Sequence, residues 1–125
     1  MVILSEERIN YDEILTRVNV SNVGSVVVHY ALVKSSVEGK RTAGIRFFAK
    51  GDLEGELREI ETHIRNTWAI DDCLIVRRLG DLKTGDIIMA VAVSAEGRDA
   101  AFQGCREAVE KCKKLKNLSK EELYI

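Results

Sequence analysis

Three basic side chains in the last third of the chain, Arg98, Lys113 and Lys116, have the types and spacing to do chemistry. Between Arg98 and Leu115 the apolar residues Phe102, Cys105, Val109 and Cys112 recur at spacings of three and four, the stripe of an amphipathic helix. At about 100° per residue, Arg98 and Lys116 project into the middle of that stripe and Lys113 falls roughly 20° from Phe102, whereas Lys111 and Lys114 point to water. Two readings compete for the cations on the apolar face. Either their stems cover apolar surface while the charged ends snorkel out at the helix termini, or they line a basic pocket at a sheet edge. Such a pocket binds phosphate or carboxylate, and a lysine partly desolvated beside other cations can act as an acid or base.

No nucleophile accompanies them. The chain has no Ser/His/Asp set, no G-x-S-x-G elbow, no P-loop and no convincing carboxylate pair, and Gly80, Gly85 and Gly97 do not make a G-x-G-x-x-G loop. An enzyme built this way receives its nucleophile from outside. Cys73, Cys105 and Cys112 form no C-x-x-C pair and read as buried core thiols, and with only two histidines, His29 and His63, neither a metal site nor a resident cofactor is expected. His29, inside an apolar strand, reads as a satisfied core or face histidine.

With 125 residues the chain is the size of one domain, spanning 1–125, and 46% hydrophobic with 31% charged residues is ordinary globular composition. A net charge of −1 and 6% aromatic residues argue against nucleic-acid binding through the Lys111 to Lys120 cluster. Neither a membrane-length apolar run nor a signal peptide is present, so a cytoplasmic protein is expected.

The elements that must position the cations follow from periodicity. Residues 2–9 read as an edge strand. Asn10-Tyr11-Asp12 caps a short helix with Ile14, Leu15 and Val18 inward. Gly24 to Val33 is rich in β-branched residues and reads as a strand covered on both faces. A polar loop from Lys34 to Arg41 leads to a strand over Thr42 to Phe48, with Ile45 and Phe47 on one face and Arg46 on the other. Gly51-Asp52 caps a helix carrying Leu53, Leu57, Ile60, Ile64 and Trp68 at the 3.6-residue period. Cys73 to Val76 starts another strand, and Leu79 to Asp86 is a structured connection shaped by glycine and aspartate. Ile87 to Val93 is apolar throughout and belongs in the middle of a sheet. Strands separated by helices, with one hairpin-like pair, predict an α+β fold of about three helices on a mixed sheet.

The motifs resemble a known family. Arg78-Leu-Gly-Asp-Leu-x-x-Gly-Asp86, the apolar strand, Gly97-Arg98-x-x-Ala-Phe102, Lys113 and Lys120-x-Glu122 are similar in order and spacing to the large, catalytic subunit of molybdopterin synthase. There the pattern runs R-I-G-x-L-x-x-G-D/E, strand, H-R-x-x-A-F, and a lysine seven residues before the lysine of P-x-W-K-x-E. Gly24 to Lys34 resembles the family's G-A-V-V-x-F-x-G-x-V-R strand, so the likeness spans Gly24 to Glu122.

The resemblance implies an α/β-hammerhead fold and a sulfurtransferase that converts cyclic pyranopterin monophosphate to the dithiolene molybdopterin. Sulfur comes from the C-terminal Gly-Gly thiocarboxylate of a small ubiquitin-like carrier, and two large subunits form a dimer with a carrier at each end. It makes Lys113 and Lys120 the catalytic cations, gives Arg98 the substrate phosphate, and places Lys34, Gly97 and Glu122 at further substrate-binding positions. Several residues depart from the pattern. Gly97 stands for the family histidine, Lys34 for an arginine, Phe47-Phe48 for tyrosine and glutamate, and Asn117 and Ser119 for a proline and a tryptophan, which predicts a less rigid segment before Lys120. A diverged, non-catalytic homologue that binds a ubiquitin-like partner or dimerises without chemistry is the alternative.

Overall fold

The structure is a computed structural model that describes residues 1–37 and 39–124, with only the backbone described at Val37, Lys40, Arg41, Thr42 and Tyr124. In chain order the elements are β1 (Val2–Ser5), α1 (Tyr11–Arg17), β2 (Ser25–Leu32), β3 (Ser36–Val37), β4 (Lys40–Ala49), α2 (Leu53–Thr67), β5 (Asp72–Arg78), β6 (Gly80–Leu82), β7 (Ile87–Ala95), α3 (Arg98–Cys112) and β8 (Leu118–Tyr124). The expected α+β architecture, with a mixed sheet and three helices, is what these elements build.

The apolar run takes the interior place foreseen for it. In the first sheet, ordered β1-β5-β7-β2, strand β7 lies between antiparallel neighbours, while β1 runs parallel to β5. Alternation along β5 sends Cys73 and Ile75 toward α2 and α3, and Leu74 and Val76 to the opposite face, where Ile9, Ile14 and Val18 cover them. Helix α2 starts at Asp52, whose Oδ1 accepts the Gly55 N–H at 3.0 Å, and it buries Leu53, Leu57, Ile60 and Ile64. Each such side chain contributes about 1.5–3 kcal/mol by leaving water.

The second sheet centres on β4, which pairs with β3, β6 and β8, all antiparallel. Ile45 and Phe47 face the shared core and Arg46 faces out, as alternation predicts. On the outer face Arg46 Nε donates to Asp81 at 2.6 Å and its Nη1 lies 3.8 Å from Glu121, tying β6, β4 and β8 together.

Several expectations are corrected. Strand β2 is an edge strand of intermediate burial, since among the described residues only β7 pairs with it, yet both its faces are partly covered: Val27 and Ala31 pack against one cluster and Val26, Val28 and Tyr30 against the other. Leu15 is exposed, since the two turns of α1 bury only Ile14. Helix α3 stops at Cys112 rather than Leu115. The 79–86 connection contains β6. Gly80 at φ +95° and Gly85 at φ +89° take backbone shapes that disfavour other residues, and Arg78 fixes the turn by donating to the Leu79 and Asp81 carbonyls at 3.0 and 3.3 Å. Residues 118–124 form a strand that Ser, Lys and Glu do not announce, because register with β4 overrides their weak β propensity. Of the polar loop expected over 34–41, Glu38 lies outside the described residues. Among those described, no helix is long and apolar enough to cross a membrane.

Candidate active site

Residue register across the first sheet sets the floor of a cleft. Leu4, Arg77, Met89 and Ala31 stand side by side on β1, β5, β7 and β2, so their side chains share one face. That row faces the second sheet at Phe47, and the Arg77 guanidinium lies 4.3 Å from the Phe47 ring centroid. On β8, Lys120 pairs with Phe47 across the strands. The end of α3 supplies Cys112 and Lys113. The result is a cleft of about 350 Å³ whose wall includes Phe47, Arg77, Met89, Cys112, Lys113 and Lys120.

Lys113 and Lys120 therefore line the same cleft from separate elements, both exposed to solvent. Lys116 does not line the cleft. The helical projection that placed it on the apolar stripe ends with the helix: Lys113 is already the C-cap, and the exposed Lys116 is held by its backbone N–H, which donates to Glu56 Oε2 at 2.8 Å. The stripe itself is rotated from expectation. Phe102 is 60% exposed, and the buried face is Ala101, Gly104, Cys105, Ala108, Val109 and Cys112, small residues that let α3 sit close to the sheet. A larger groove of about 600 Å³ runs between β2 and α3, with His29, Phe102, Arg106 and Glu110 along it, and Lys113 lines both spaces. It mixes one carboxylate with its cations, so the smaller cleft is the better anion site.

A carboxylate fixes the segment leading to Lys120. Glu56 Oε1 accepts both the Asn117 N–H at 2.9 Å and Asn117 Nδ2 at 3.0 Å, while the Lys50 N–H donates to the Asn117 carbonyl at 3.0 Å. Burial alone would raise the Glu56 carboxyl, but these hydrogen bonds outweigh it and hold the group below its ordinary 4.5. Asn117, where the resemblance has proline, is thus pinned by α2, contrary to the looser segment expected.

The cleft contains no ready nucleophile. Burial pushes the Cys112 thiol up to about 12, and Cys73 and Cys105, also buried, rise to about 12 and 11, so none is a thiolate at neutral pH. Arg77 is 5% exposed, and desolvation draws its guanidinium down to about 10, still charged at neutral pH. Sequence reasoning missed Arg77. The available signal was its period-2 position on the inward face of β5, behind Cys73 and Ile75.

The remaining site positions do not converge on the cleft. Arg98 is exposed at the N-terminal end of α3, and a helix of 15 residues spans about 22 Å, so one chain does not bring Arg98 and Lys113 to the same small molecule. Gly97 is the N-cap with open space where a Cβ would project. Lys34 is exposed beyond the end of β2, and Glu122 is half-buried on β8 opposite Ile45, two residues past Lys120. Among the described residues no group of three or more His, Cys, Asp or Glu side chains is placed to hold a metal ion.

Helices on a mixed sheet, with a cationic cleft that lacks a thiolate of its own, define a subunit suited to receive an anionic reactant that carries its own nucleophile. Residues 4–115 match the MoaE protein family, and the chain belongs to it. Lys113 falls inside the matched residues and Lys120 beyond them. The molybdopterin synthase catalytic subunit of Staphylococcus epidermidis is 31% identical over 102 residues, which cover 81% of this chain and 68% of that one. The crystal structure of molybdopterin synthase from Staphylococcus aureus superimposes with a TM-score of 0.87 at 25% identity, covering 99% of this chain and 90% of that one. A Helicobacter pylori chain from a complex of subunits 1 and 2 of molybdopterin-converting factor shares the fold at 13% identity, with a TM-score of 0.75 and coverage of 98% and 88%.

Proposed function

We propose that the chain is a molybdopterin synthase catalytic subunit, a cytoplasmic sulfurtransferase that moves sulfur from the C-terminal thiocarboxylate of a small ubiquitin-like carrier ending in Gly-Gly to cyclic pyranopterin monophosphate. The observation that carries this reading is the meeting of Lys113 and Lys120 in one cleft from separate elements. Lys113 lines both the cleft and the α3 groove, where it can hold the incoming thiocarboxylate and donate a proton, and Lys120 offsets negative charge that develops on the pterin. The inert cysteines agree with sulfur delivered by the carrier. The Helicobacter pylori complex supports a two-subunit assembly by fold.

Arg98 reaches the same substrate only from a second copy. The length of α3 separates it from Lys113 within a chain, so the phosphate-binding role implied by resemblance requires a homodimer in which one protomer supplies the lysines and its partner the arginine. Lys34, Gly97 and Glu122 stay at the margin as substrate-binding positions. Supplying a carrier thiocarboxylate labelled with heavy sulfur tests the proposal: the label should appear in the dithiolene product. Carrier binding without product would instead mark a non-catalytic homologue.

A further inference from the structure

We infer that Arg77 is a third anion-binding residue of the Lys113–Lys120 cleft, with its guanidinium on the cleft floor to receive an oxyanion, either a carboxylate-type terminus or a phosphate. Arg77 lines the cleft, is 5% exposed, and has its guanidinium carbon over the Phe47 ring, 4.3 Å from the centroid. Its Nε is buried with no hydrogen-bond partner, and among the described residues no carboxylate forms an ion pair with it. The neighbouring Arg78 also leaves one buried nitrogen, Nη1, without a partner, but it is anchored on two backbone carbonyls and does not line the cleft, whereas Arg77 does. A buried cation without a counter-ion is costly, and removing the charge should not harm the empty fold. Arginine's planar fork suits a two-oxygen anion better than the lysines above it. Burial and the cation–π contact with Phe47 hold the guanidinium in place before the anion arrives, so little is lost in ordering it.

The inference takes the Lys113–Lys120 cleft as the reaction site of the proposed function, but it is read by binding and so stands or falls apart from turnover. Wild type and Arg77→Met are titrated by calorimetry with inorganic phosphate and with a short peptide ending in a Gly-Gly carboxylate, and their Tm values are compared without ligand. The expected result is affinity about tenfold or more weaker for at least one probe, with an unchanged or higher Tm. The probe that suffers identifies which anion Arg77 receives. Equal affinity of both proteins for both probes overturns the inference, as does a wild type that binds neither. Should Arg77→Met fail to fold, the Nε–H signal of Arg77 in wild-type protein replaces it: the NMR signal must move on adding one probe, and a signal fixed against both overturns the inference.

Discussion

We propose that Lys113 and Lys120 carry the chemistry, and single substitutions separate them from their basic neighbours. Lys113→Ala and Lys120→Ala should each lower sulfur transfer by about a hundredfold or more, the scale of losing a charge that stabilises the transition state, while Lys116→Ala should leave the rate within about twofold. Rapid-mixing assays of dithiolene formation with all three variants check this. Lys116 lies outside the cleft, where its backbone N–H and its charge both act on Glu56. Cys112→Ala tests the outside nucleophile: transfer should persist at nearly the wild-type rate, with a stability loss of about 1 kcal/mol from the small void. At this scale Lys113 was legible from helical arithmetic. Lys120 was legible only from resemblance, because no periodicity connects a helix end to a residue on the following strand. Arg77 was hidden because the Arg77-Arg78 pair at the end of an apolar strand looks like its solvated boundary.

The elements around the cleft depend on two local devices. Glu56 ties α2 to the Lys116–Asn117 turn through both carboxylate oxygens. Glu56→Ala should cost about 1–2 kcal/mol at neutral pH and should slow transfer by freeing the approach to Lys120. Because the folded pKa of Glu56 is depressed, its contribution is fully present above the ordinary 4.5 and is lost as pH falls through the lower folded value. The Tm gap between wild type and variant should therefore shrink on acidification below 4.5, as a pH series of thermal melts would show. In α3, a Cβ added at Gly104 would meet Ile70, Val93 and Ile64 at 3.4 to 3.6 Å, ordinary contact distances. Gly104→Ala should then stabilise by about 0.5–1 kcal/mol through helix propensity, measured by denaturant melts. Helix α2 and strand β7 were plain in the sequence because a full period or an unbroken apolar run marks each. Strands β6 and β8 were not, since a three-residue strand and a charged one are specified by β4, far away in the chain.

For the whole molecule, the α+β class followed from alternating patterns, but the second sheet did not, and the two ends of α3 pose the larger question. If Arg98 acts from a partner protomer, Arg98→Ala and Lys113→Ala proteins, each inactive alone, should complement on mixing and recover roughly a quarter of wild-type activity, since half the dimers are mixed and each has one intact site. No recovery would place Arg98 outside the reaction. We propose that this chain transfers sulfur in the Lys113–Lys120 cleft. The most direct test combines the wild-type protein with its thiocarboxylated carrier and cyclic pyranopterin monophosphate and follows the dithiolene by mass spectrometry, with Lys113→Ala alongside. The wild type should form product and a folded, carrier-binding Lys113→Ala none; a wild type that binds its carrier and forms no product, or equal product from both, would rule out sulfur transfer at this cleft.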